Sequence, residues 1–547
     1  MRKITIYSCL VLVTYFTGYA QKPNAINSKP KLVVGIVVDQ MRYDYLTRFY
    51  NKFGQGGFKR LVTGGFNCKN NHFNYIPTKT APGHASIYTG TTPKYHGIIG
   101  NNWYDKSIKK MVYCTQDSLQ NSVGTTTAAG NMSPSRMQVS TFADQNRLFT
   151  QMRGKTIGVS LKDRGAILPA GHTANAAYWF YGKDKGLFIS STYYMQYLPK
   201  WVTRFNNSKQ AQSYLKPWVT LYDIDTYLES GADLNTFETG FKSVKNTATF
   251  PYDLSVLKNK ENRFEILKST AYGNSLTTDF AIAAIKGEKL GYDLHTDILT
   301  LSYSSTDYVG HNFGVNSKEI QDTYLRLDKD LERLLNTLDT TVGKGNYTVF
   351  LTADHGAVHV PAYLQSVKVP SGYLELSTLK AKLNAFLESK FKVVSLIEHI
   401  SNDQIFLDKL KLSALGLKQQ LITQAIVNKI LTYPNINNAY TAKTMHSTAF
   451  VEGLPYLLQN GYSQKQSGDV LFVPNTAFIS YGKKGSTHGS GLNYDTHVPL
   501  LFYGKGIKPG YTYNKTRVID IAPTMSALLG ISFPNAATGN PLDFVLH

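Results

Sequence analysis

The chain runs to 547 residues, 42% of them hydrophobic and 17% charged. Those proportions exclude a disordered or fibrous polypeptide and leave room for one large globular domain with insertions, or for several small ones. The formal charge is +21, from 58 basic and 37 acidic side chains; such a surface attracts anions, but no lysine–arginine stripe or recognition motif accompanies it, so nucleic acid is not expected as a partner.

The chain opens MRKITIYSCLVLVTYFTGYAQK. Arg2 and Lys3 form a positive start, an apolar run follows, and Ala20 offers a small residue for cleavage, so residues 1–20 are predicted to be a signal peptide and the protein to be exported, to the periplasm or beyond. The run of about 15 apolar residues falls short of the roughly 20 that span a bilayer, and no stable membrane insertion is expected. Of three cysteines, Cys9 leaves with the signal. Cys68 and Cys114 then form an even pair in an oxidising compartment, and a disulfide between them is expected, with two separately buried thiols as the alternative.

Next come short apolar runs that end abruptly in polar residues: 31–39 (KLVVGIVVD), 155–164 (KTIGVSLKDR), 297–307 (DILTLSYSSTD), 347–356 (YTVFLTADHG) and 497–504 (HVPLLFYG). Continuous β-branched runs without alternation predict strands buried on both faces of a mostly parallel sheet. Between the first two lies YIPTKTAPGHASIYTG (75–90), where Pro82 marks a first helical turn and Thr80 stands just ahead of it, either as an N-cap or as a nucleophile. Residues 316–339 place Ile320, Tyr324, Leu327, Leu331, Leu334 and Leu338 at three- and four-residue spacings, a helix with one apolar face. Alternating strands and helices predict a doubly wound α/β fold with helices on both faces of the sheet. Two stretches break the rhythm, near 170–290 and near 360–470, and are expected as insertions capping a single catalytic domain (21–547).

In such sheets ligands collect beyond the carboxyl ends of the strands. The residues ending these runs are Asp39, Lys162, Arg164, Asp307, Asp354 and His355; His311 follows Asp307 by four, and His488 lies in the glycine-rich GSTHGSG. Three carboxylates and three imidazoles suit two adjacent divalent ions, zinc first and manganese second.

The segments VVDQMRYDYL, PTKTAPGHASIYTG, HGIIGNNWYD, SLKDRGAILPAGH, SSTDYVGHNFG, TADHGA and THGSGLNYDTHVPLLFYG resemble the alkaline phosphatase superfamily, and within it the phosphate-irrepressible bacterial enzymes with a threonine nucleophile (PafA type). The likeness runs from about residue 30 to the C-terminus. It implies two zinc ions, one held by Asp307, His311 and His488, the other by Asp39, Asp354 and His355 with Thr80 facing it. It further implies that Thr80 attacks phosphorus while the second zinc takes the leaving oxygen, and that the resulting phosphothreonine is hydrolysed. Asn101 and the Lys162–Arg164 pair would contact the phosphoryl group; Asn102 stands where Asp is expected, so either amide could point inward. His84, His96 and His497 are expected to be structural.

The threonine segment also resembles nucleotide pyrophosphatase/phosphodiesterases. A monoester carries an extra negative charge that additional cationic donors reward, and Lys162 and Arg164, two apart on an extended chain, would share one side. The expected activity is therefore hydrolysis of small phosphate monoesters to inorganic phosphate, with phosphodiester hydrolysis as the alternative enzyme. An exported metal- or phosphate-binding protein is the non-enzymatic alternative. A monomer is favoured.

Overall fold

The computed structural model describes residues 29–241, 247–260 and 262–547; the predicted signal peptide lies outside the described residues. All five apolar runs are strands of one ten-stranded sheet. In chain order its strands are β1 (Leu32–Val38), β2 (Phe66–Cys68), β3 (Ser122–Val123), β4 (Thr156–Ser160), β5 (Ala176–Tyr181), β6 (Leu187–Ser191), β7 (Asp297–Tyr303), β8 (Tyr347–Thr352), β9 (Leu500–Gly504) and β10 (Gly510–Thr512). Across the sheet they lie in the order β10-β2-β9-β8-β1-β7-β4-β5-β6-β3.

The middle five, β8-β1-β7-β4-β5, are mutually parallel. β9 joins β8 antiparallel and β6 joins β5 antiparallel, so the sheet is mixed at its flanks. β1 is central, and all seven of its residues are buried, which is why its sequence lacks alternation. Gly35 in β1 has a packing reason: a Cβ there would strike Tyr88 and Phe350, and the Tyr88 hydroxyl donates to the Gly35 carbonyl at 3.0 Å.

Five helices matter for the site: α1 (Thr80–Thr89), α2 (Asp163–Ala170), α3 (Ala271–Glu288), α4 (Ser305–Phe313) and α5 (Lys318–Leu338). α5 buries the six apolar residues that its spacing predicted, and the Ser317 hydroxyl caps it by accepting from the Ile320 amide. Of the stretch 170–290, Ala176–Tyr181 and Leu187–Ser191 belong to the central sheet. Within 360–470, strands Ile397–Ser401, Gln404–Leu407 and Ile436–Thr441 join Val470–Pro474 in a separate four-stranded sheet, and this region has an apolar core of its own around Leu383, Leu396, Ile405, Ile426 and Phe472. No helix among the described residues is long and apolar enough to cross a membrane.

The expected disulfide is not formed. Cys68 and Cys114 are both free and buried. They sit in different apolar clusters, Cys68 in the main core and Cys114 with Trp103, Met137 and Leu168. Burial pushes each thiol up to about 12, so both behave as small apolar side chains.

One polar feature of the interior strains the fold. Glu238 and Glu319 are both almost fully buried, and each leaves one carboxyl oxygen without a hydrogen-bond partner. The other Glu238 oxygen accepts from the Asn235 amide at 2.7 Å, and Glu319 accepts from the Tyr252 hydroxyl at 2.5 Å. Burial, then the charge of Glu319, raises the Glu238 carboxyl well above the ordinary range. An acid whose folded value exceeds its unfolded value contributes most at low pH, and that contribution is lost as pH rises through the ordinary carboxylate range toward the folded value. Glu238→Gln keeps the acceptor and carries no charge. Its melting temperature should match wild type at pH 5 and exceed it by several degrees at pH 9; an equal gap at both pH values would contradict the buried-acid assignment.

Candidate metal-bearing active site

Every residue singled out at a strand end arrives at one edge of the sheet. Asp39 directly follows β1, and Asp354 and His355 follow β8. After β7 the chain enters α4, whose first turn carries Asp307 and whose next turn carries His311; at i and i+4 the two share a face. His488 comes from the loop that leads into β9. Because β9 runs antiparallel to β8, the chain entering it lies at the same edge where the parallel strands end.

The donor atoms converge closely. His311 Nε2 lies 3.2 Å and His488 Nε2 3.7 Å from Asp307 Oδ1. His355 Nε2 lies 3.4 Å from Asp39 Oδ1 and 3.6 Å from Asp354 Oδ2. Asp307, His311 and His488 form one group whose donor atoms all lie within 4.8 Å of one another, and Asp39, Asp307 and His355 form another. Asp307 therefore stands between the groups, a sharing that the strand-by-strand reading did not anticipate. The His355 and His488 rings stack at 3.3 Å.

The far side of each ring is pinned. Nδ1 of His311 bonds the Ser486 carbonyl at 2.7 Å, that of His488 the Thr78 carbonyl at 2.8 Å, and that of His355 the Gly356 carbonyl at 2.9 Å. A carbonyl can only accept, so each Nδ1 carries a proton and each Nε2 is turned to the centre, where it can offer its lone pair to a cation, the arrangement that orients metal-ligating histidines.

Charge makes the same point. Three buried carboxylates face one ammonium: Lys162 Nζ lies 2.5 Å from Asp39 Oδ2 and 2.5 Å from Asp307 Oδ2. Burial, then Asp307 and Asp354, raises the Asp39 carboxyl well above its ordinary range despite Lys162. Burial acts on Asp307 in the same direction but is outweighed by His311 and Lys162, which hold that carboxyl well below its ordinary range. Asp39 Oδ1, Asp354 Oδ2 and His355 Nε2 are buried with no hydrogen-bond partner. Three unsatisfied acceptors facing one another are costly in themselves, and a nitrogen-and-oxygen donor set of this kind fits zinc. The residues present therefore fit two divalent cations.

Thr80 is the first residue of α1 and 1% exposed. The residue before it, Lys79, takes the extended cap conformation, so Thr80 is not the N-cap. α1 is pressed against the Asp354 segment, and a Cβ at Gly83 would collide with the Asp354 carbonyl. The Asn101 side-chain oxygen accepts from the Ala81 amide at 2.8 Å, which holds the side chain at the start of α1, whereas Asn102 is exposed at the head of the strand Asn102–Asp105. Asn101 is thus the inward amide. Lys162 and Arg164 do not share an extended strand: Lys162 caps α2 and Arg164 lies in its first turn. They nevertheless line one cavity. Lys162 reaches the carboxylates, while Arg164 Nη1 donates to the Tyr113 hydroxyl at 3.0 Å and keeps a buried Nε without a partner.

His96 and His497 lie away from the cluster; His96 bonds Ser86 and His497 bonds the Lys69 carbonyl. His84 is closer than expected, with Nδ1 2.8 Å from the Thr80 carbonyl and 3.2 Å from Asp354 Oδ2. Sequence reasoning missed Gln40, whose backbone amide bonds Asp354 at 3.1 Å and whose side chain bonds Asp307 at 2.8 Å, linking both groups. Its position directly after Asp39 was the available signal. It also missed Asp495, which ties the loop bearing His488 through Gly489 and Ser490.

Residues 33–498 match the model of the type I phosphodiesterase / nucleotide pyrophosphatase family. The chain belongs to that family. It is 45% identical over 530 residues to "Alkaline phosphatase PafA" of Elizabethkingia meningoseptica, covering 96% of each chain, and 46% identical over 520 residues to "Alkaline phosphatase PhoV" of Synechococcus elongatus, covering 95% of this chain and 93% of that one. The crystal structure of wild-type PafA superposes with a TM-score of 0.91, at 45% identity over 95% of this chain and 99% of that one. The fold is alkaline-phosphatase-like.

Because the Asp39 carboxyl is raised in the protein without metal, its contribution to stability falls as pH rises, whereas a bound cation needs the carboxylate form. Zinc should therefore raise the melting temperature of chelator-treated protein more at pH 8 than at pH 6, read by calorimetry with no substrate present. An unchanged melting temperature at both pH values would contradict the metal assignment.

Proposed function

We propose that the chain is an exported phosphate monoesterase that holds two zinc ions at this edge and works through a phosphothreonine on Thr80. Asp307, His311 and His488 hold one ion; Asp39, Asp354 and His355 hold the other, with Thr80 facing it. Zinc supplies Lewis acidity that eases ionisation of a hydroxyl and offsets phosphoryl charge. Everything else comes from the chain. The start of α1 turns its positive end toward an anion beside Thr80. The Thr80 oxygen forms a bond to phosphorus as the bond to the ester oxygen breaks, and that oxygen leaves with the electron pair and takes up a proton. Water then attacks phosphorus and returns the Thr80 hydroxyl and inorganic phosphate.

The observation that carries the monoesterase reading is the buried ammonium of Lys162 among the carboxylates, with Arg164 two residues on in the first turn of α2, lining the same cavity and with its Nε unpartnered. Two cationic groups, joined by the Asn101 amide, reward the additional negative charge of a monoester. The Elizabethkingia meningoseptica and Synechococcus elongatus relatives carry the name alkaline phosphatase, which supports the same choice, whereas a Myroides odoratus relative at 46% identity is named "Calcium-transporting ATPase". Diester hydrolysis is the second reading, favoured by the family model.

The test compares p-nitrophenyl phosphate with its bis-ester at pH 8–9, with and without chelator. Wild type should prefer the monoester and lose activity with the chelator. Thr80→Ala should abolish most turnover, and Thr80→Ser should retain a substantial part. Lys162→Ala and Arg164→Ala should each cost roughly 10²–10³ in kcat/KM on the monoester and much less on the diester. Faster diester hydrolysis by wild type would establish the second reading, and a fully active Thr80→Ala variant would overturn the nucleophile.

A further inference from the structure

The approach to this site is walled by two charged residues that the chemistry above does not use. One is Lys79, immediately before Thr80 in the extended conformation that starts α1. The other is Asp403, at the tip of the hairpin joining Ile397–Ser401 to Gln404–Leu407, where Asn402 and Asp403 both adopt left-handed backbone (φ 51° and 55°). That hairpin belongs to the separate sheet of the 360–470 region, yet its tip touches the catalytic edge: the Asn402 amide donates to the Asn102 carbonyl at 2.8 Å, one residue from Asn101. Lys79, Asn402, Asp403, Ser480, Tyr494 and Asp495 line a cavity of about 170 Å³ that reaches His488, and the Asp495 carboxylate is already engaged by the Gly489 and Ser490 amides and the Ser490 hydroxyl.

Within this cavity the two charges face the same space without meeting. Among the described residues neither Lys79 Nζ nor the Asp403 carboxylate has an ion-pair or hydrogen-bond partner, and they are not within ion-pair distance of each other. Burial raises the Asp403 carboxyl to about 6, with the Lys79 charge pulling it back, so it is ionised at the alkaline pH of the proposed reaction. A groove bearing only the lysine would accept any anionic alcohol; here Asp403 opposes a ligand carrying a second anion alone. Likewise Lys79 opposes a ligand carrying an ammonium alone. A ligand with both charges leaves neither opposed, because unpaired charges in a partly desolvated groove are satisfied only by their opposites.

We propose that this groove is the subsite for the alcohol portion of the monoester and that it selects alcohols carrying a carboxylate and an ammonium together, as in O-phosphoserine, with the carboxylate on Lys79 and the ammonium on Asp403. The inference rests on the monoesterase reading. The bond cleaved is the same phosphorus–oxygen bond, and the products are the free hydroxy amino acid and inorganic phosphate.

The test uses four monoesters of aliphatic alcohols that differ in charge: O-phosphoserine (both charges), 3-phosphoglycerate (carboxylate), phosphoethanolamine (ammonium) and glycerol 3-phosphate (neither). They are assayed with wild type, Lys79→Met, Lys79→Arg and Asp403→Asn, each value divided by that variant's kcat/KM for p-nitrophenyl phosphate. Wild type should favour O-phosphoserine over glycerol 3-phosphate by roughly tenfold or more, as expected for hydrogen bonds to charged groups. Lys79→Met and Asp403→Asn should each remove most of that preference, and Lys79→Arg should keep it. Lys79→Met should also make phosphoethanolamine a better substrate than in wild type, and Asp403→Asn should do the same for 3-phosphoglycerate. Equal rates on all four alcohols in wild type, or losses in the variants that are uniform across them, would overturn the subsite while leaving the monoesterase reading intact. Failure of wild type on p-nitrophenyl phosphate itself would instead overturn the reading on which the inference rests.

Discussion

Asp39, Asp307 and Asp354 are carried to the same buried edge by three adjacent parallel strands, and a single ammonium, Lys162, stands among them. Negative charge held out of water at this density is tolerated only where cations or strong donors answer it. Much of the surrounding structure can be read as holding that imbalance in place. Gln40 bridges Asp307 and Asp354, the three imidazoles are oriented by backbone carbonyls, and Gly83 lets α1 approach the Asp354 segment more closely than any side chain would permit. Breaking one of these supports would leave the carboxylates in place but misdirect the lone pairs that face them.

The same constraint links stability to function. A site that concentrates unsatisfied acceptors lowers the stability of the folded chain without metal, and the buried parallel centre of the sheet behind it offsets that cost. The separate sheet of the 360–470 region adds little to the carboxylate edge. Its contribution is the Asn402–Asp403 hairpin tip, which borders the approach to Thr80 from outside the catalytic core. The chemistry is thereby placed on strand ends of the main sheet and the start of α1, whereas Asp403, one half of the proposed subsite, sits on a loop of a different sheet.

Much of this was legible in the residues themselves. Unalternating apolar runs announced buried parallel strands, and the polar residues closing those runs announced the edge, because strand direction alone decides where their last residues meet. The spacing of Ile320 through Leu338 announced the helix that covers one face. What escaped the sequence depended on distances between segments far apart in the chain. Whether Cys68 and Cys114 meet is decided by which apolar cluster each enters, and they enter different ones. The relation of Lys162 to Arg164 turned on where β4 gives way to α2, a boundary that local propensity places only within a residue or two. Gln40 and Asp495 lie inside the quoted segments, yet an amide or carboxylate that supports a ligand looks like any other until its partner is known.

The central claim is that this edge is built for two divalent cations, one on each side of Asp307. Zinc-edge anomalous diffraction from crystals of the zinc-loaded full chain, paired with metal quantification of the same preparation, tests it most directly. The account predicts two zinc ions per chain, one contacting His311 and His488 and the other contacting His355, with the second ion lost in His355→Ala. A single ion, or two ions bound away from these histidines, would contradict it.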